Sequence, residues 1–152
     1  MPLLKTKSIK VRLIVATLMI VGVLAAEHIT KQNSPNKDDT KLKEVEHLFT
    51  NIPVYPGAQE VHASWSSKER LAGVIKTYKT EAGFNELKQY YTETLPRLGW
   101  HFDGEKEIKD WWRDLGGREL IFQAGEYYVH IQYAGDKADY AWNYAVSVGW
   151  RR

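Results

Sequence analysis

FNELKQYYTETLPRLGW, residues 84–100, holds one amphipathic helix together with the signal that ends it. Phe84, Leu87, Tyr91, Leu95 and Leu98 recur at spacings of 3, 4, 4 and 3, which puts them on one stripe of a helix that faces a core. Gly83 stands at the N-cap, and Glu86 takes the place of a capping-box acid. Pro96 lacks an amide hydrogen and crowds the preceding turn, so the regular helix should end or kink near Thr94 or Leu95. Gly99 then supplies a left-handed C-cap, and Trp100 folds back on the last turn.

Upstream, Leu42, Val45, Leu48 and Phe49 give a short helix over about 41–49 one apolar face. Ile52-Pro53 ends it, because the residue before proline avoids helical geometry. Pro56-Gly57 makes a tight turn, with proline presetting φ and glycine accepting a positive φ. Residues 59–66 alternate, with Val61, Ala63 and Trp65 on the expected core face, and 71–80 forms the partner strand across the polar turn SSKER.

Downstream, 100–103 starts a strand that Asp103-Gly104 is expected to turn. Residues 105–117 read as either strand or exposed loop, with Gly116-Gly117 breaking the chain. RELIFQA (118–124), YYVHIQY (127–133) and NYAVSVGW (143–150) are three strands. Tyr144, Val146, Val148 and Trp150 share a core face, and residues 134–142 form a longer loop. The expected fold is α+β: an antiparallel sheet in β-β-α-β-β-β order, three or four strands following one main helix that packs on one face. Trp100 joins Trp65 and Trp150 in the expected core. Lys76, His130, Gln132 and Ser147 are assigned to the other face.

The N-terminus is different in kind. Lys5, Lys7, Lys10 and Arg12 precede LIVATLMIVGVLAA (13–26), and no acid offsets them. Without these four charges the net charge of +2 becomes −2. A helix of this length spans roughly 21 Å, short of a hydrocarbon core about 30 Å thick. It suits a signal peptide, with Val23 and Ala25 before a cleavage site at Ala26. An uncleaved anchor lengthened by Ile9 and Val11 is the alternative, with Lys10 and Arg12 reaching the headgroups. Either way the remainder is translocated and works at the outer face of the cytoplasmic membrane, in the periplasm or outside the cell. Residues 1–26 are therefore signal or anchor, 27–43 a polar linker too poor in apolar residues to order itself, and 44–152 one domain.

VYPGA (54–58), the strand ending in YKT, and F-x-x-L-x-x-Y-Y-x-x-x-L-x-x-L-G-W together resemble a loose family of uncharacterised bacterial exported or lipid-anchored α+β proteins. The resemblance covers about 52–150 and is specific over 54–100. It implies an extracytoplasmic domain and no catalytic residue, since the family has no established activity. This chain departs from it in having no cysteine for lipid attachment.

The absence of cysteine also excludes disulfides, thiol catalysis and thiolate metal sites. No basic face of the kind that neutralises phosphates is present, so nucleic acid is not an expected partner. His28, His47, His62, His101 and His130 form no H-x-x-x-H, and the single pair Glu44/His47 falls short of the three or four ligands a zinc site needs. There is no G-x-S-x-G, Gly116-Gly117 lacks the features of a phosphate loop, and Asp136 and Asp139 lie in a polar loop as solvated charges. The expectation is a binding module that is not an enzyme and carries no cofactor, with an enzyme of unknown type as an alternative.

The one compositional excess is aromatic: six Trp and nine Tyr. Trp111, Trp112 and Trp142 lie near irregular segments, flanked by Arg113, Asp114 and Asn143. Such a patch can anchor an envelope protein, stack on a cell-wall glycan or sit at a membrane interface. Trp111, Trp112, Arg113 and Trp142 are the candidate binding residues.

Overall fold

The computed structural model describes residues 40–152. The signal-or-anchor segment and most of the polar linker lie outside the described residues. Two helices and six strands follow in the order α1 (Thr40–Thr50), β1 (Gln59–Lys68), β2 (Leu71–Lys79), α2 (Phe84–Thr94), β3 (His101–Asp110), β4 (Arg113–Ala124), β5 (Tyr127–Tyr133) and β6 (Tyr144–Arg151). All strands join one antiparallel sheet, ordered β1-β2-β6-β5-β4-β3. The class is α+β, mostly sheet. α2 carries the chain from β2 to the far edge, and the β3–β6 meander returns to close against β2. Four strands follow the main helix, and among the described residues no helix is long and apolar enough to cross a membrane.

Both helices cover the same sheet face. Val45 and Phe49 of α1 and Leu87 and Tyr91 of α2 meet Val74 and Tyr78, Tyr144, Val146, Val148 and Trp150, Val129 and Ile131, and Leu120 and Phe122. These strand residues are register partners, so the alternation in each strand adds to one continuous core.

The end of α2 follows its sequence. The Gly83 amide donates to Glu86 Oε2 at 2.9 Å. A 3₁₀ turn takes over at Leu95–Leu98, and Gly99 closes it at φ 88°. The Trp100 amide donates to the Leu95 carbonyl at 3.1 Å, and its indole is buried. Leu98 departs from the expected stripe at 50% exposure, because three residues per turn rotate it off the face that the α-helix set up. In VYPGA the Ala58 amide closes the turn on the Tyr55 carbonyl at 3.1 Å. The segment is fastened by the Tyr90 hydroxyl to the Val54 carbonyl at 3.1 Å and by the edge-on Tyr55/Tyr90 rings.

Several local expectations are overturned. Trp65 is 49% exposed rather than core; β1 is an edge strand, and α1 lies chiefly over β2 and β6. Lys76 belongs to the helix face as the partner of Val146, and its ammonium passes over the Phe49 ring to Glu60 at 2.8 Å. Asp103-Gly104 makes no turn: the register shifts between Phe102 and Gly104, a bulge inside a continuous β3. Gly116-Gly117 does not break the chain either. It lies within β4, where a Cβ on Gly117 would fall 2.8 Å from the Ile108 carbonyl oxygen.

The sheet face opposite the two described helices carries His130, Gln132 and Ser147, as expected, with Glu119 among them. Glu119 is 2% exposed. Its carboxylate accepts from Gln132 Nε2 at 2.6 Å and meets His130 Nδ1 at 3.1 Å and Lys106 Nζ at 2.5 Å. Burial alone would raise this carboxyl; the bonds from His130, Lys106 and Gln132 outweigh it and hold it at about 2.

Candidate functional site

Trp111 and Trp112 are the two residues of the turn between β3 and β4, with Asp110 opposite Arg113 at its base. Trp111 has φ 62°, the only positive φ outside glycine among the described residues. A two-residue hairpin loop needs positive φ at its first position to match the twist of the strands, and Gly or Asn normally supplies it. A bulky side chain there is a genuine outlier. Trp112 projects at 75% exposure while Trp111 is half-buried. Their rings lie 6.0 Å apart at 70°.

The base of the turn is fastened by charge. Arg113 donates to Asp110 Oδ2 from Nε at 3.0 Å and from Nη2 at 2.5 Å. The Tyr140 hydroxyl donates to the same oxygen at 2.6 Å, and Arg113 Nη2 reaches that hydroxyl at 3.4 Å. The Tyr140 and Arg113 bonds together hold the Asp110 carboxyl below its ordinary range. Burial and the bond to Asp110 push the Tyr140 phenol up, and Asp110 pushes the Arg113 guanidinium up. Asp110 thus accepts three bonds at Oδ2 and is ionised at neutral pH, suited to positioning rather than to proton donation.

Tyr140 brings Trp142 to the site. The two rings stack at 5.2 Å and 13°. Their loop is held against β4: the Lys137 amide donates to the Leu115 carbonyl at 3.2 Å, and the Tyr133 hydroxyl donates to Asp136 Oδ1 at 2.5 Å. Gly135, at φ 106°, permits the approach, because a Cβ there would sit 2.0 Å from the Leu115 carbonyl oxygen.

All four candidate residues therefore belong to one hairpin tip and the loop fastened to it. The flanking residues divide. Asp114 closes a local turn by accepting from the Gly116 amide at 3.1 Å. Asn143 is structural: its amide group spans the Thr80 backbone, accepting from the amide at 2.9 Å and donating to the carbonyl at 2.7 Å. Asp110 and Tyr140 were not singled out from the sequence. The Tyr140-x-Trp142 spacing was the available signal, masked by the polar residues around it. Among the described residues, no group of three or more His, Asp or Glu side chains gathers as a metal site.

Comparison with known proteins gives no match: no protein-family model, no curated protein and no solved structure corresponds to this chain.

Proposed function

We propose that this protein is a non-catalytic binding module of the cell envelope, exported or membrane-tethered through residues 13–26, that meets its partner at the hairpin tip of Trp111, Trp112 and Arg113 with Trp142 beside it. One observation carries the reading: a Trp at positive φ stands next to a Trp that is 75% exposed. The turn geometry calls for neither. Glycine at the first turn position and a polar residue at the second would make a less strained, better solvated hairpin. Strain held at an exposed aromatic tip points to a surface used for contact. The basic-then-apolar N-terminus supports placement outside the cytoplasm. The envelope offers two classes of partner, protein and glycan.

In-cell crosslinking of the tagged full-length chain, beside a Trp111→Ala/Trp112→Ala double variant, tests this. A discrete protein adduct, or retention on purified cell wall, that is lost in the variant supports the module. Capture that is equal in both proteins, or absent from both, refutes it.

A further inference from the structure

On the binding-module reading, on which the inference rests, the chemistry of the tip narrows the partner. Segments 109–114 (KDWWRD) and 136–142 (DKADYAW) build the tip, and neither contains Leu, Ile, Val, Met or Phe. Trp, Tyr and Arg also anchor protein hot spots, but the core of a protein interface is depleted of Asp and Lys. Here the aromatics stand among Lys109, Asp110, Arg113, Asp114, Asp136, Lys137 and Asp139. Four of these are acids and three are bases. An anionic membrane surface attracts an excess of basic residues, and this tip has none.

Flat aromatic faces beside charged hydrogen-bonding groups match a pyranose. A sugar ring with equatorial substituents turns its axial C–H bonds to its two faces, which pack on an indole, and its hydroxyls to its edge. Each hydroxyl both donates and accepts, so it suits carboxylates and guanidinium groups side by side. The tip supplies both parts. Trp112 presents a mostly exposed indole, and a second aromatic unit, the Tyr140/Trp142 stack, is fastened to the same hairpin through Arg113 and Asp110; both of its rings are half-buried and each covers one face of the other. Arg113 Nη1 and the mostly exposed Asp139 carboxylate are held only loosely, at 3.5 Å, so hydroxyls can take their places.

We infer that the hairpin tip binds an oligosaccharide of pyranoses with equatorial substituents. Such a chain can be a cell-wall amino-sugar polymer or a plain glucan.

Isothermal titration calorimetry on the full chain, in a detergent without a sugar headgroup, tests this with tetrameric β-1,4-N-acetylglucosamine and with cellotetraose. Binding of at least one tetramer is expected, and preference between them tells the amino sugar from the glucan. Trp112→Ala should weaken binding about tenfold or more, and Trp112→Tyr should keep most of it. Circular dichroism and the thermal midpoint of both variants should match wild type, since Trp112 is exposed. Binding that Trp112→Ala leaves unchanged overturns the site assignment. If neither tetramer binds, the glycan inference is wrong. An in-cell protein adduct lost in Trp112→Ala, or co-sedimentation with phosphatidylcholine/phosphatidylglycerol vesicles lost in it, would then keep the tip as a contact surface for another partner. Loss of none of these signals overturns both readings.

Discussion

The Tyr140 hydroxyl and the Asp110 carboxylate, 30 residues apart in sequence, meet at 2.6 Å and join the 134–142 loop to the β3–β4 hairpin. Arg113 completes the triangle. The loop is otherwise fastened near its two ends, at Leu115, Tyr133 and Asp136 and at Asn143, so this junction ties its middle, where Tyr140 lies, to the hairpin that carries Trp112.

Tyr140→Phe removes the hydroxyl and keeps the ring. Asp110 then retains Arg113 as its partner, so no buried charge is orphaned. A loss of about 1.5–2 kcal/mol is expected from one bond to a charged acceptor, seen as a drop in the urea midpoint. The larger effect should be local: amide exchange in 136–142 should quicken while the central strands stay protected. Equal protection in variant and wild type would mean that the junction does not hold the loop.

Trp111→Gly replaces a strained residue by the one the turn geometry favours. A left-handed conformation costs a non-glycine residue about 1–2 kcal/mol, which offsets the lost packing of a half-buried indole. The thermal midpoint should be no lower than wild type, whereas Trp111→Ala, which keeps the strain and loses the ring, should fall below it. A Gly variant less stable than the Ala variant would show that the backbone strain is small.

Much of the architecture was legible because it rests on local rules. The Gly83–Trp100 unit and the three C-terminal strands follow from periodicity, proline and glycine placement, and alternation; the unit and the last two strands appear at nearly the expected residues, whereas β4 begins five residues before the expected 118, at Arg113. Apart from Leu98, which the local 3₁₀ turn rotates outward, the errors share one cause: they needed knowledge of neighbours. Trp65 alternates as a core residue, but strand order put it on an edge the helices leave uncovered. Asp103-Gly104 and Gly116-Gly117 carry turn composition, yet a bulge uses the same residues within a strand. Of the site, the tryptophans and Arg113 were visible as an aromatic excess in irregular sequence. Asp110 and Tyr140 were not, because only the fold brings residues 110 and 140 together.

Gly135→Ala should be severely destabilising for its size. The added Cβ would fall 2.0 Å from the Leu115 carbonyl oxygen, at a φ of 106° that side chains rarely adopt. Either the loop or β4 must move. A loss above about 2 kcal/mol is expected in denaturant unfolding, with weakened contact at the tip because Tyr140 and Trp142 move with the loop. Gly125→Ala is the control: its φ is also positive at 59°, but a Cβ there meets nothing within 4 Å. It should lose only the backbone term, about 1 kcal/mol.

The buried Glu119 should set the acid limit of the fold. Burial would raise its carboxyl, but His130, Lys106 and Gln132 hold it at about 2 against an ordinary 4.5. A folded-state pKa below the unfolded one contributes stability that is complete above the unfolded value and disappears as pH falls through the folded value. Stability should therefore hold near neutrality and decline from about pH 5 to about pH 2, by up to roughly 3 kcal/mol from this group. Glu119→Gln has no carboxyl to titrate and leaves Lys106 and His130 without their anion. It should be less stable at pH 7, by about 2–3 kcal/mol, and its urea midpoint should depend less on pH below 5. A variant whose acid profile runs parallel to wild type would place the acid sensitivity elsewhere, with Asp110 and Glu105 next in line because their neighbours also hold them low.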